Sequence, residues 1–266
     1  MNAKAHHLKK VRVAASFTKA AATYDAAAHL QRAVGEHLWH MIDTSQVFKC
    51  GMDLGCGTGH FTRRLQRCAK KVIAVDLAQG MLHHARNKHF LSEHSEIAYV
   101  AADAEALPFA PASVDFIFSS LALQWCQNLP ELAQSLGRVL ASRGQLAIAS
   151  LGPETLHELR AAWASIDKFV HVNRFESEAS FLAPFLAANF RLEQAYSEHR
   201  RLHYSHLGAM LHELKALGVT NANQGQSQGL AGRRDFQRLA LAYDKFRDKD
   251  GLPATYQVHY WLLRKQ

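Results

Sequence analysis

The chain predicts an α/β fold, a mostly parallel sheet with helices on both faces, and three observations carry that prediction. Short apolar runs alternate with helical-period segments between about residues 48 and 149. The run Met52-Asp53-Leu54 contains an acid and opens directly into Gly55-Cys56-Gly57-Thr58-Gly59. A second apolar run, Val72-Ile73-Ala74-Val75, also ends in an acid, Asp76. Strand, glycine loop, helix and second acidic strand follow in βαβ order, which builds parallel sheets whose ligands sit at the carboxyl ends of the strands.

Each element follows from the same reading. Met1 to Lys10 is basic, with no apolar core and no cleavage signature. It reads as a short solvated tail on a cytoplasmic protein. Residues 16–42 form a helical entrance, with Ala22, Ala26, Leu30, Ala33 and Leu38 as its apolar stripe. A strand is expected at 48–54, a helix at 59–67, a strand at 71–76 and a helix at 78–89. Ile97 to Val100 is the third strand and Ser113 to Phe118 the fourth. A helix over 130–141 leads to a fifth strand, Gly144 to Ala149.

Beyond it the character changes. Helices at 153–166 and 177–187 precede a strand from Arg191 to His203. Helical segments at 205–217 and 233–247 are separated by Gly218 to Gly232, rich in Asn, Gln, Gly and Ser, a loop composition. Thr255 to Leu263 alternates and closes the sheet. The division is a helical cap (1–45), a ligand-binding core (46–203), a helical insert (204–250) and a final strand (251–266). An insert over the sheet mouth is where substrate choice normally resides.

Composition bounds the function. The 266 residues, 48% hydrophobic and 20% charged, suit one large domain with a buried core rather than disorder. No apolar run approaches a membrane span. Cys50, Cys56, Cys68 and Cys126 form no C-x-x-C pair, and His6-His7 and His83-His84 lack ligand spacing. Reduced structural thiols and no metal are expected. The net charge of +8, with 17 histidines neutral, calls for an acidic partner or substrate. The basic residues are dispersed, without a Lys/Arg block and without an N/D-P-P-Y segment for a flipped base. Nucleic acid is therefore not the expected partner.

The loop spacing selects the ligand. A dinucleotide site wants G-x-G-x-x-G, whereas here the glycines alternate and position 60 is His60. No G-K-[ST] follows, so the loop suits a nucleoside without phosphate. Asp76 is placed to accept both ribose hydroxyls.

Asp53-Leu54-Gly55-Cys56-Gly57-Thr58-Gly59 resembles the first motif, D/E-x-G-x-G-x-G, of class I S-adenosylmethionine-dependent methyltransferases, matching every fixed position. The resemblance implies a Rossmann-like seven-stranded sheet whose sixth and seventh strands pair antiparallel around the helical insert. It implies S-adenosylmethionine as cofactor. Gly55, Gly57 and Gly59 would admit its amino-acid end, and Asp53 would help hold the ammonium. Leu77 and Met81 would wall the adenine, with Asp103 and Ala104 at its amino group. Asp103 reads equally as a turn cap. Leu121 to Trp125 would close the methyl-transfer site, although Trp125 also suits a core. Tyr24 and Gln31 would cover the cofactor, with Tyr24 at the methionine end or the methyl channel, or as a half-buried packing residue.

A narrower resemblance spans nearly the whole chain. Ser16 to Asp25, Ala28 to Gln31, Ala122 to Cys126, Leu214 to Gly218, Gly229 to Gly232 and Leu252 to Val258 are similar to the malonyl-[acyl-carrier protein] O-methyltransferases of biotin synthesis. Val219 departs from a frequent family alanine. The family implies methylation of the free malonyl carboxylate on acyl carrier protein, with carrier as partner and the chain a monomer. A carboxylate, with a pKa near about 4, is already a nucleophile and needs no base. A cation should select it, and Arg201, Arg200 and Arg12 are the candidates, Tyr24 being the candidate beside the reacting groups. Arg233, Arg234, Arg238 and Lys215 would meet the acidic carrier. The alternatives are a quinone-precursor methyltransferase, a hydroxylase or respiratory assembly factor of the same fold, and a non-catalytic sensor.

Overall fold

A computed structural model describes residues 3–45, 47–89, 97–219 and 233–266. Two helices open the chain, α1 (Ala3–Ala27) and α2 (His29–His40). The predicted single entrance helix breaks at Ala28, whose ψ of 37° leaves the helical region. That break resets the helical face. Ala20, Ala21, Ala27 and Ala28 are buried, whereas the predicted stripe residues Ala22 and Ala26 are exposed. The expected solvated tail is also corrected. From Ala3 it is the first part of α1, which continues across the mouth of the sheet.

The strands are β1 (Phe48–Leu54), β2 (Ala69–Asp76), β3 (Ile97–Ala101), β4 (Val114–Ser120), β5 (Leu140–Leu151), β6 (Phe190–Tyr204) and β7 (Leu252–Lys265). The helices between them are α3 (Thr62–Leu65), α4 (Gln79–His89), α5 (Leu129–Val139), α6 (His157–Ala164), α7 (Glu178–Ala187), α8 (Leu207–Ala216) and α9 (Arg233–Asp244). The helix expected over 59–67 shrinks to α3, because Gly59 at φ +80° still belongs to the loop. The Gly229 to Gly232 motif and the expected linker from residue 220 onward lie outside the described residues.

These strands form one sheet in the order β3-β2-β1-β4-β5-β7-β6. The first five are parallel, and β7 runs antiparallel between β5 and β6. The central strands are apolar on both faces. Val114, Phe116, Ile117 and Phe118 of β4 are all fully buried, as expected when helices cover both sides. One face packs Phe116, Phe118 and Tyr260 against α2, α6, α8 and α9. The other packs Ile117, Ile148 and Trp261 against α5 and α7. After β1 the chain runs outward to β2 and β3, then returns to place β4 on the opposite side of β1. The carboxyl ends of β1 and β4 thus flank the switch in strand order, where ligands bind in open α/β sheets.

Candidate functional site

The glycine loop leaves β1 at that switch. Gly55, Gly57 and Gly59 all have positive φ, +75°, +52° and +80°. At Gly55 the requirement is doubled, since an added Cβ would overlap the methyl group of Ala122. Gly57 N–H donates to Asp76 Oδ2 at 2.9 Å and Ala78 N–H to Oδ1 at 2.7 Å. The carboxylate thereby ties the loops after β1 and β2 together. Each oxygen keeps a lone pair for a further donor. Burial pushes the Asp76 pKa up, against the pull of the backbone N–H groups.

Two adjoining cavities share Tyr24, Gly55, Gly57 and Ser120. The first spans about 800 Å³ of space, open solvent at its mouth included. Asp76, Leu77, Met81, Asp103, Ala104 and Leu121 all line it. Asp103 also caps the short 3-10 turn after β3, its Oδ1 accepting from Glu105 N–H at 3.0 Å. The two readings of Asp103 coexist because Oδ1 serves the cap while Oδ2 takes Lys10. Trp125 combines its two readings as well. It lines this cavity and receives the Phe17 ring edge-on at 5.4 Å.

The second cavity holds the polar groups. Asp53 lies at its floor, 3% exposed, accepting from Thr62 Oγ1 at 2.6 Å. Burial first, and the Asp76 charge second, push its pKa up to about 7, against the Thr62 bond. Arg32, Asp25 and His60 line the same cavity. Arg32 is oriented by the Asp25 carbonyl at 2.7 Å and His29 Nδ1 at 3.1 Å. Asp25 is held by Thr58 Oγ1 at 2.5 Å and Lys88 Nζ at 2.7 Å. Gln31 Oε1 and Ser120 Oγ are buried here without a protein partner. Such orphaned acceptors are costly unless a ligand completes them.

This arrangement fits S-adenosylmethionine group by group. Asp76 suits the ribose diol, and Leu77 and Met81 suit an apolar base. Asp53 and Arg32 suit an ammonium and a carboxylate. The residues that would hold the cofactor are therefore the loop glycines with Asp53, Asp76, Leu77, Met81, Asp103, Ala104 and Leu121.

The structure places the expected arginines away from both cavities. Arg200 and Arg201 lie on β6, the edge strand of the sheet, and neither lines the cavities. Arg200 Nε is spent on Glu198 at 2.7 Å, an oxygen that also accepts from Tyr260 at 2.6 Å. Arg201 and Arg12 are exposed. Two cations were missed, Lys10 and Arg32. Lys10, Phe17 and Tyr24 are spaced by seven residues and all line the first cavity. Extending the helix backwards from Tyr24 by that spacing would have found Lys10. Tyr24 itself stays protonated, since burial and the charges of Asp76 and Asp25 raise its pKa.

Comparisons with known proteins agree with this geometry. The methyltransferase domain family matches residues 52–148. A putative methyltransferase from Bacillus halodurans superposes with a TM-score of 0.63 at 20% identity, covering 87% of this chain and 98% of its own. A biotin biosynthesis bifunctional protein BioHC of Cellvibrio japonicus is 48% identical over 96% of this chain, which spans only 50% of that protein's length. A malonyl-[acyl-carrier protein] O-methyltransferase of Methylovorus sp. is 38% identical over 98% of this chain and 90% of its own length. No helix among the described residues is long and apolar enough to cross a membrane. With the glycine loop, the cofactor cavity and a relative matched almost end to end, the chain belongs to the malonyl-[acyl-carrier protein] O-methyltransferase family of S-adenosylmethionine-dependent enzymes.

Proposed function

We propose that this chain methylates the free carboxylate of a malonyl thioester on acyl carrier protein, giving the methyl ester, as an early step of biotin synthesis. The observation that carries the proposal is the match to the Methylovorus relative over 98% of this chain, insert included. A match confined to the glycine loop would support only the cofactor.

The lining fits a reaction without a general base. Tyr24 keeps its proton, Asp53 lies in the second cavity rather than the first, and the described residues lining the first include no histidine. A carboxylate acceptor is ionised at neutral pH and needs none. Bound S-adenosylmethionine supplies an electrophilic methyl group on a positively charged sulfur. The chain contributes placement, with Asp76 and the loop glycines at one end and Asp53 and Arg32 at the other. Phe17, Leu121 and Trp125 give the cavity between them an apolar wall that keeps water from the acceptor. Esterification removes the terminal charge, which is costly to bury in a site made for apolar acyl chains.

Incubation of the protein with S-adenosylmethionine and malonyl-acyl carrier protein tests this by intact mass. A gain of one methyl group, removed by mild ester hydrolysis, is expected. A methylated small aromatic, a hydroxylated protein, or no product despite cofactor binding would contradict it.

A further inference from the structure

The outer surface of α1 carries charge of one sign. Between His7 and Thr23 the helix contains Lys9, Arg12 and Lys19 besides the inward-facing Lys10, and no carboxylate. Arg12 and Lys19 are exposed on the side opposite Lys10, Phe17 and Tyr24. Leu8 and Val11, 41% and 51% exposed, stand on the same outward side.

Beside them runs a groove between α1 and α8, lined by Lys19 and Thr23 on one wall and His212 and Lys215 on the other. None of the described residues lining this groove is acidic. The one carboxylate of α8, Glu213, is turned away, accepting from Tyr204 Oη at 2.8 Å. The only one on α1, Asp25, is held by Thr58 and Lys88. The two helices are fastened together, Thr23 Oγ1 donating to the Ala216 carbonyl and Ser16 Oγ to the Gly218 carbonyl, both at 2.9 Å. The groove is thus a fixed feature of the cap.

We infer that this face of α1 and α8, with Arg12, Lys19, His212 and Lys215 around exposed Leu8 and Val11, is the docking surface for the acidic acyl carrier protein. The inference rests on the proposed reaction and adds where on this chain the partner sits. Charge complementarity selects the occupant. Cations with no carboxylate beside them among the described residues, next to an apolar patch, suit an acidic, amphipathic surface, and such pairing steers association. The position is also suitable. The inner side of α1 walls the cofactor cavity, so a carrier seated outside stands roughly one helix diameter, about 10 Å, from it. A flexible thioester arm spans that distance.

The test combines Lys19→Glu with Lys215→Glu and measures two properties, binding of the carrier protein by titration calorimetry and methylation of malonyl-carrier, both across a salt series. The wild-type protein should bind the carrier less tightly as salt rises. The charge-reversed protein should bind at least about ten-fold more weakly at low salt and lose most of its salt dependence, with the loss of turnover falling on KM. Its S-adenosylmethionine affinity should be unchanged, since neither residue touches the cavities. Should the double variant fail to fold, Arg12→Glu with Lys215→Gln repeats the measurement. Equal carrier binding by wild-type and charge-reversed protein would overturn the surface. A wild-type protein that binds the carrier through this surface but never methylates its malonyl group would overturn the reaction instead.

Discussion

Lys10 Nζ lies 2.6 Å from Asp103 Oδ2, joining α1 to the end of β3 across 93 residues of sequence. The same ammonium reaches Glu105, which is 8% exposed and also accepts from Asn128 N–H at 3.0 Å. Thr18 packs on Gly80, where even a Cβ would press on the Thr18 backbone, and Phe17 meets Trp125. These contacts turn α1 into the roof of the cofactor cavity.

Replacing Lys10 with Met should therefore loosen the roof without touching the sheet. Glu105 would keep its backbone donors but lose its cation, at a cost of about 1–3 kcal/mol. Urea unfolding should show that loss, and S-adenosylhomocysteine should dissociate faster in stopped flow. Lys10→Arg should restore most of both.

Asp53 gives cofactor binding a pH dependence. Its carboxyl, pushed up to about 7 in the free protein, is largely protonated at pH 6. A ligand ammonium prefers the ionised form, so affinity should rise with pH through about 7 and fall again above about 8, where the free ligand's own α-ammonium loses its proton. Titration calorimetry from pH 6 to pH 8.5 checks this, and Asp53→Asn should flatten the rise. The sign for folding is opposite. A carboxyl whose pKa is raised on folding favours the fold at low pH, and this contribution fades as pH climbs from about 4 through 7.

Gly55→Ala should be far more damaging than its size suggests. The φ of +75° strains any L side chain, and the new methyl would meet Ala122. A loss of at least about 2 kcal/mol is expected from these two effects together. Thermal melting should fall, and S-adenosylhomocysteine binding should disappear even where the protein remains folded.

Arg32→Ala should raise the KM for S-adenosylmethionine about ten-fold or more, the worth of one charge-assisted bond of roughly 1.5–3 kcal/mol. Arg200→Ala and Arg201→Ala should leave that KM unchanged. Steady-state kinetics with varied cofactor separates them. A cofactor KM that rises with Arg200→Ala and not with Arg32→Ala would contradict the placing of the cofactor's carboxylate at Arg32.

The centre of the sheet was legible because strands such as β4 are nearly continuous apolar runs, and the cofactor loop because its positive φ values favour glycine. The register of Asp76 followed from its place at the end of a strand. That Arg200 and Arg201 stand apart from the two cavities was not legible, for a different reason. Arg200 and Arg201 end a strand in sequence, but sequence does not say that β6 is the outer edge, beyond β7. The break at Ala28 was hidden because alanine is an excellent helix former, and only the packing of Ala27 and Ala28 against Leu217 shows why the chain turns there. Lys10 was missed through reading a basic, glycine-free segment as tail, when its seven-residue relation to Phe17 and Tyr24 marked it as one helical face.

The most direct test of the account uses methyl-labelled S-adenosylmethionine with malonyl-carrier and, in parallel, acetyl-carrier, which lacks only the free carboxylate. Label is expected on the malonyl-carrier alone, released by mild base as a methyl ester should be. Equal labelling of both carriers, or no label on either with cofactor bound, would contradict it.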